Sequence, residues 1–225
     1  MRPRIVDLTH PLGPAIPMFP GLPGPEIEEF LSREASGERY APGVSFVIHR
    51  YRLIGNSGTY LDAPYHRYED GPDLASLPLD RTADLPGVMV DVASEVDAGR
   101  LAIGPERFTA LDMTGCAVLI RTGWDARWGT PDYLAANPNL TGEAAEVLVA
   151  AGAALVGIDS WNVDDVADLA RPVHSRLLAH GIPIIENLRG LERLPRRGFR
   201  FHAAPLPIPS GSSIPVRAYA VVIER

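Results

Sequence analysis

Asp62 and His66 stand four residues apart in the segment Gly55-Asn56-Ser57-Gly58-Thr59-Tyr60-Leu61-Asp62-Ala63-Pro64-Tyr65-His66. A carboxylate and an imidazole converging on one point suit a divalent metal such as zinc or manganese, or an acid–base pair. The spacing would put both on one helical face, but Pro64 between them argues against a regular helix. In an irregular loop the proline limits backbone freedom and can hold both side chains towards one point. A turn in which Asp62 bonds local amides and His66 is exposed fits the same residues.

A second group of candidates lies further on: Asp159, Asp164, Asp165, His174 and Glu186. His174 falls early in an expected short helix. Glu186 falls at the end of the strand after it, where open α/β sheets place ligands. Asp164 and Asp165 read as a solvated loop or a helix start. Among the other histidines, His10, His49, His180 and His202 carry no catalytic assignment. His49 alternates with apolar neighbours, a pattern that fits burial. Trp124, Trp128 and Trp161 read as core or rim packing. The sequence has no nucleophile elbow, P-loop or dinucleotide fingerprint, so serine-triad and nucleotide-dependent chemistry lack support.

The elements that must position these groups can be traced along the chain. Val44 to Ile54 alternates with β-branched and aromatic residues and predicts a strand leading into the Asp62 segment. Gly87 to Val92 and Ala117 to Arg121 are short apolar runs of buried-strand type. Thr141 predicts an N-cap for a helix from Gly142 to about Ala151, with Gly152 closing it. Ala154 to Asp159 predicts the next strand. Pro172 suits the first turn of a second helix and Gly181 its C-terminal cap. Pro183 to Glu186 and Val216 to Ile223 predict two further strands. The Pro/Gly-rich stretch from Leu12 to Glu26 contains Ile16, Met18 and Phe19, which favour a packed loop that shapes a pocket over a surface arm. These elements predict a single α/β domain over residues 1–225, with a mixed β-sheet and flanking helices.

Composition narrows the function classes. The 225 residues are 46% apolar and 22% charged, as in a water-soluble globular protein, and the net charge of −7 argues against nucleic acid as the main partner. All 21 basic residues are arginine, so no lysine is present for Schiff-base chemistry. The single cysteine, Cys116, excludes an internal disulfide and reads as a buried structural thiol. No secretory h-region follows Met1-Arg2-Pro3-Arg4, and no apolar run reaches membrane-spanning length. A cytoplasmic location with no membrane partner is the expectation.

The chain resembles the cyclase family, the group that contains bacterial kynurenine formamidase and isatin hydrolase. The resemblance runs through Ile5-Val6-Asp7-Leu8-Thr9-His10-Pro11, Gly58 to His66, Leu119 to Trp124, Val156 to Ser160, His174 to Glu186 and Pro215-Val216-Arg217-Ala218. Members typically carry H-x-G-T-H-x-D-x-P-x-H. This chain keeps Gly58, Thr59, Asp62, Pro64 and His66 but has Asn56 and Tyr60 at the first two histidine positions. The resemblance implies a swivelling β/β/α fold and a homodimer or higher homo-oligomer. It implies one divalent metal, zinc or manganese, on Asp62, His66, His174 and Glu186. The implied reaction is arylformamidase-like hydrolysis of a small amide, lactam or lactone by metal-activated water. Asn and neutral Tyr are poor ligands, so a metal-free arrangement stays open. There Asn56 and Tyr60 would hold a substrate carbonyl or enolate while Asp62 and His66 act as acid and base, in a cyclase or isomerase. A non-catalytic small-molecule binder is the third alternative. Phe19 and Trp161 are the expected substrate-binding aromatics, suited to an aromatic or bulky compound.

Overall fold

The computed structural model describes residues 3–223; Met1, Arg2, Glu224 and Arg225 lie outside it. In chain order the strands are β1 (Arg4–Asp7), β2 (Glu26–Leu31), β3 (Ile48–Arg52), β4 (Tyr60–Asp62), β5 (Leu85–Asp91), β6 (Ala102–Ile103), β7 (Ala117–Arg121), β8 (Asn139–Leu140), β9 (Leu155–Ile158), β10 (Ile184–Glu186), β11 (Phe199–His202), β12 (Ser213–Pro215) and β13 (Tyr219–Val222). The helices are α1 (Arg33–Gly37), α2 (Ala93–Asp97), α3 (Gly142–Ala150) and α4 (Pro172–Ala179).

Nine strands form one mixed sheet in the order β1-β13-β11-β5-β7-β9-β10-β4-β12. The centre, β5-β7-β9-β10, is parallel; both flanks are antiparallel. The expected single α/β domain with a mixed sheet is therefore observed. Two-residue alternation splits the apolar side chains between two faces. Val88, Val118, Ile120, Val156 and Ile184 pack on the side that carries α3 and α4. Met89, Leu119, Leu155 and Ile185 pack with Leu61, Phe201 and Val6 on the other. The same alternation puts Tyr60 and Asp62 on the face opposite to Leu61.

Most predicted elements appear where the local pattern places them. Thr141 accepts a hydrogen bond from Ala144 N and caps α3. Pro172 begins α4 and Gly181 follows it with φ +71°. Two expectations change. The strand predicted from Val44 forms only at Ile48, in a two-stranded hairpin with β2 outside the main sheet. His49 on it is exposed, because that hairpin has no layer packed over it. The predicted strand Val216–Ile223 forms as β13 only from Tyr219, while β12 pairs with β4 just before it.

Candidate active site

The site is built at the antiparallel flank β10-β4-β12. Register brings Glu186 opposite Tyr60, and Ile184 opposite Asp62, across β10 and β4. On the other side of β4, Ser213 stands opposite Asp62. Directly opposed residues project to the same face. Tyr60 Oη therefore donates to Glu186 Oε2, and Ser213 Oγ donates to Asp62 Oδ1 at 2.5 Å. The loop before β4 is pressed against β12: a Cβ on Gly55 would lie 2.4 Å from the Ser213 carbonyl oxygen. That approach lets Asn56 Nδ2 donate to Asp62 Oδ1 at 3.1 Å.

After β4, Pro64 opens a 3-10 turn, Pro64–His66, in place of a regular helix. This turn brings His66 Nδ1 to 3.1 Å from Ser213 Oγ. Serine has one hydroxyl proton, and it is given to Asp62. Nδ1 of His66 must then be the donor, which leaves Nε2 as the ring nitrogen outside that bond.

His174 lies in the first turn of α4 and is buried. The residue before that helix, Arg171, makes no side-chain cap. Asp164 does the capping from a neighbouring loop. Its Oδ1 accepts from Val173 N at 2.7 Å and its Oδ2 from His174 N at 3.0 Å. Asp164 Oδ2 also lies 2.7 Å from His174 Nδ1. Asp164, one of the sequence candidates, is fully buried rather than in a solvated loop, and its role as cap and histidine partner is what the sequence did not show. The available signal was indirect: a proline-initiated helix with arginine at the cap position needs its amides satisfied from elsewhere.

His174 Nε2 stands 3.7 Å from Asp62 Oδ2 and 3.7 Å from Glu186 Oε1. Ligand atoms of Asp62, His66 and His174 all lie within 4.8 Å of one another. Asp62 Oδ2 is buried with no hydrogen-bond partner. A partnerless buried carboxylate oxygen beside an imidazole, with a second imidazole in the same cluster, is what a divalent cation would satisfy. The carboxylate behind His174 is the orienting contact that metal-ligating histidines use. These residues fit a metal. Glu186 lies beside the trio with both oxygens engaged, Oε2 by Tyr60 and Oε1 by Val163 N at 2.7 Å.

The electrostatics follow from burial against partners. Burial opposes ionisation of Asp62, but His174, His66 and Ser213 together hold its carboxyl below the ordinary value. Burial likewise opposes charge on His174, yet Asp164, Asp62 and Glu186 outweigh it and raise the imidazole to about 10. Glu186 is pushed up to about 7 by burial and by the Asp62 charge, against the pull of His174. Tyr60 is raised well above 10 by burial and by Glu186 and Asp62.

A cavity of about 390 Å³ opens over this cluster. Asn56, Tyr60, His66 and His174 line its floor, and Phe19, Leu22 and Leu169 supply an apolar rim. The Pro/Gly-rich loop thus shapes the pocket through Phe19. Trp161 is buried behind it, its ring 5.8 Å from that of Phe19, and lines a small adjoining void. The remaining candidates fall outside. Asp159 bonds Thr122 and Gly123, Asp165 is exposed, and His180 Nδ1 lies 2.8 Å from the Arg176 carbonyl oxygen at the end of α4. His202 accepts from Asp84 N, and His10 stacks on Trp128 at 3.9 Å. Cys116 is buried, as expected of a structural thiol. No helix among the described residues is long and apolar enough to cross a membrane.

Fold and site together define an α/β protein with a carboxylate–imidazole cluster under an apolar-rimmed pocket. The profile of the cyclase family, described as "Putative cyclase", matches residues 6–165, and the chain belongs to this family. It is 28% identical over 215 residues to the kynurenine formamidase of Bacillus cereus (strain ATCC 14579), covering 95% of each chain. The kynurenine formamidase of Bacillus mycoides is 29% identical over 216 residues, again covering 95% of each. Among solved structures, isatin hydrolase A from Labrenzia aggregata superposes with a TM-score of 0.88 at 27% identity, covering 99% of this chain and 94% of that one. Isatin hydrolase A from Ralstonia solanacearum gives 0.85 at 26%, covering 98% and 92%.

Proposed function

We propose that this protein is a hydrolase acting on the C–N bond of a small amide or lactam, with water activated by one divalent ion, zinc or manganese. The carrying observation is the buried, partnerless Asp62 Oδ2, 3.7 Å from His174 Nε2 and in one cluster with His66 beneath the floor of the pocket. Similarity to kynurenine formamidases and isatin hydrolases supports the reaction class.

Asp62 Oδ2, Nε2 of His66 and Nε2 of His174 would hold the ion. When bound, it would polarise the carbonyl and bring the pKa of its water towards neutrality. Asp164 accepts the Nδ1 proton of His174 and turns Nε2 to the cluster, and the proton that the carboxylates hold on Nε2 would leave as the ion bound. Asn56 and Ser213 occupy Oδ1 of Asp62 and so turn Oδ2 inward. Tyr60 lines the pocket and donates to Glu186, whose carboxyl is raised to about 7. Its hydroxyl passes the proton released during attack on to Glu186 and returns one to the leaving nitrogen. Phe19, Leu22 and Leu169 hold the apolar body of the substrate.

Purified protein is expected to hold close to one divalent ion per chain. It is expected to turn over isatin or an N-formyl arylamine, and to lose both properties on His174→Ala. A chain that stays metal-free after incubation with zinc or manganese sinks this reading. Tyr60→Phe is expected to lower kcat about 100-fold with metal content unchanged; full turnover would remove the hydroxyl from the proton path.

A further inference from the structure

The pocket carries two cations with no assigned role. Arg67 directly follows His66, and Arg171 precedes His174 by three residues, so the segments that deliver the two histidines also deliver two guanidiniums. Both line the cavity. Among the described residues, neither forms an ion pair with a carboxylate. Arg67 Nε donates weakly to Ser175 Oγ at 3.4 Å and its guanidinium lies 5.2 Å from the Tyr68 ring. Arg171 donates to Asn162 Oδ1 at 3.0 Å and lies 5.9 Å from the Phe19 ring. Every one of these contacts is neutral. No aspartate or glutamate lines the cavity.

Arg171 also holds a left-handed backbone, φ 49° and ψ 57°, at the start of α4. Glycine would adopt that conformation without strain, and arginine does so only at a cost. The backbone gives no reason for arginine there, whereas a pocket that needs a cation does.

We propose that Arg67 and Arg171 select a substrate whose aromatic or bulky apolar body carries a carboxylate, and disfavour a zwitterion, because the cavity offers no anion to meet an ammonium group. A guanidinium pairs with a carboxylate through charge-assisted, often bidentate hydrogen bonds. The apolar rim takes the ring, and the cluster on the floor takes the amide. This inference rests on the hydrolase reading of the same pocket.

The test compares ortho, meta and para formamidobenzoates with the matching neutral carboxamides, by kcat/KM. The wild-type protein is expected to prefer at least one carboxylate about tenfold or more, the worth of one charge-assisted hydrogen bond. Arg67→Gln and Arg171→Gly are each expected to cut that ratio about tenfold, chiefly through KM. Arg81→Gln, on an exposed residue that does not line the cavity, leaves the ratio alone. Isothermal titration with aminobenzoate against aminobenzamide needs no turnover and separates the two readings. If neither amide is hydrolysed but the carboxylate binds preferentially, the hydrolase reading fails and anion selection stands. Equal turnover and equal binding of charged and neutral partners, or no binding of either, overturns the proposal. The wild-type comparison holds even if a variant fails to fold.

Discussion

Asp159 and Asp62 are both fully buried carboxylates at the ends of sheet strands, and their surroundings could hardly differ more. Asp159, just after β9, accepts from Thr122 N at 2.8 Å, Thr122 Oγ1 at 2.5 Å and Gly123 N at 2.9 Å. Both of its oxygens are satisfied by the segment after β7, which it fastens to the sheet. Burial still raises its carboxyl to about 7, with help from the Asp125 charge. Asp62, at the end of β4, is satisfied on one oxygen only. Its second oxygen lies 3.7 Å from His174 Nε2, with His66 in the same cluster. A carboxylate whose bonds close on backbone amides is architecture. One left open beside imidazoles is a site in want of a cation.

Exchanging each aspartate for its isostere would break or uphold this contrast. Asp62→Asn is expected to lower kcat/KM at least about 100-fold, at or beyond the upper end of what residues that merely orient a ligand contribute. Its melting temperature should change little. Asp159→Asn is expected to do the reverse: stability falls by about 2 kcal/mol as an amide group meets donors that need an acceptor. Turnover by the folded fraction stays within about threefold, the range of a residue outside the site. Melting curves and kinetics of the two variants side by side decide it; the opposite pattern would end the distinction.

His10 sharpens the comparison with a second partnerless atom. Its Nε2 is buried without a hydrogen bond, but its ring stacks on Trp128, outside the pocket. Burial, with the nearby Arg189 charge, lowers its pKa from 6.5 to about 4. The unfolded chain therefore binds the proton more readily. Stability linked to His10 is complete above pH 6.5 and is lost as pH falls through about 4. The loss amounts to at most about 3 kcal/mol. Urea unfolding across that window should show a shallower pH slope for His10→Gln than for the wild type; equal slopes would mean the ring is accessible to protons when folded.

The smallest effect is expected at Ser213→Ala. Asp62 Oδ1 keeps Asn56 but loses one orienting hydroxyl, and His66 Nδ1 loses its partner. Metal affinity, measured by chelator competition, should weaken about tenfold. Unchanged affinity would mean that Asn56 alone orients the carboxylate.

Much of the scaffold was legible from local pattern. β7 spans Ala117–Arg121 as the apolar run predicts, and α3 ends where Gly152 requires. Asp62, His66 and His174, chosen by residue type, spacing and resemblance, do converge. Asp164 was legible as a candidate but not in its role, because its acidic, loop-like neighbourhood suggests solvent while its carboxylate is consumed by α4. Arg67 and Arg171 were silent, since an arginine beside a motif looks like any surface charge until a cavity is seen in front of it.

The sequence by itself determined the repertoire. It set which side chains can ligate or move protons and which faces of each strand are apolar. Only the tertiary structure decided which carboxylate stays open. That outcome depends on pairings such as Ser213 with Asp62, 151 positions apart, and Tyr60 with Glu186, 126 apart. Whether a buried oxygen finds a donor is settled by strand register across the sheet, and no local pattern of residues encodes that register.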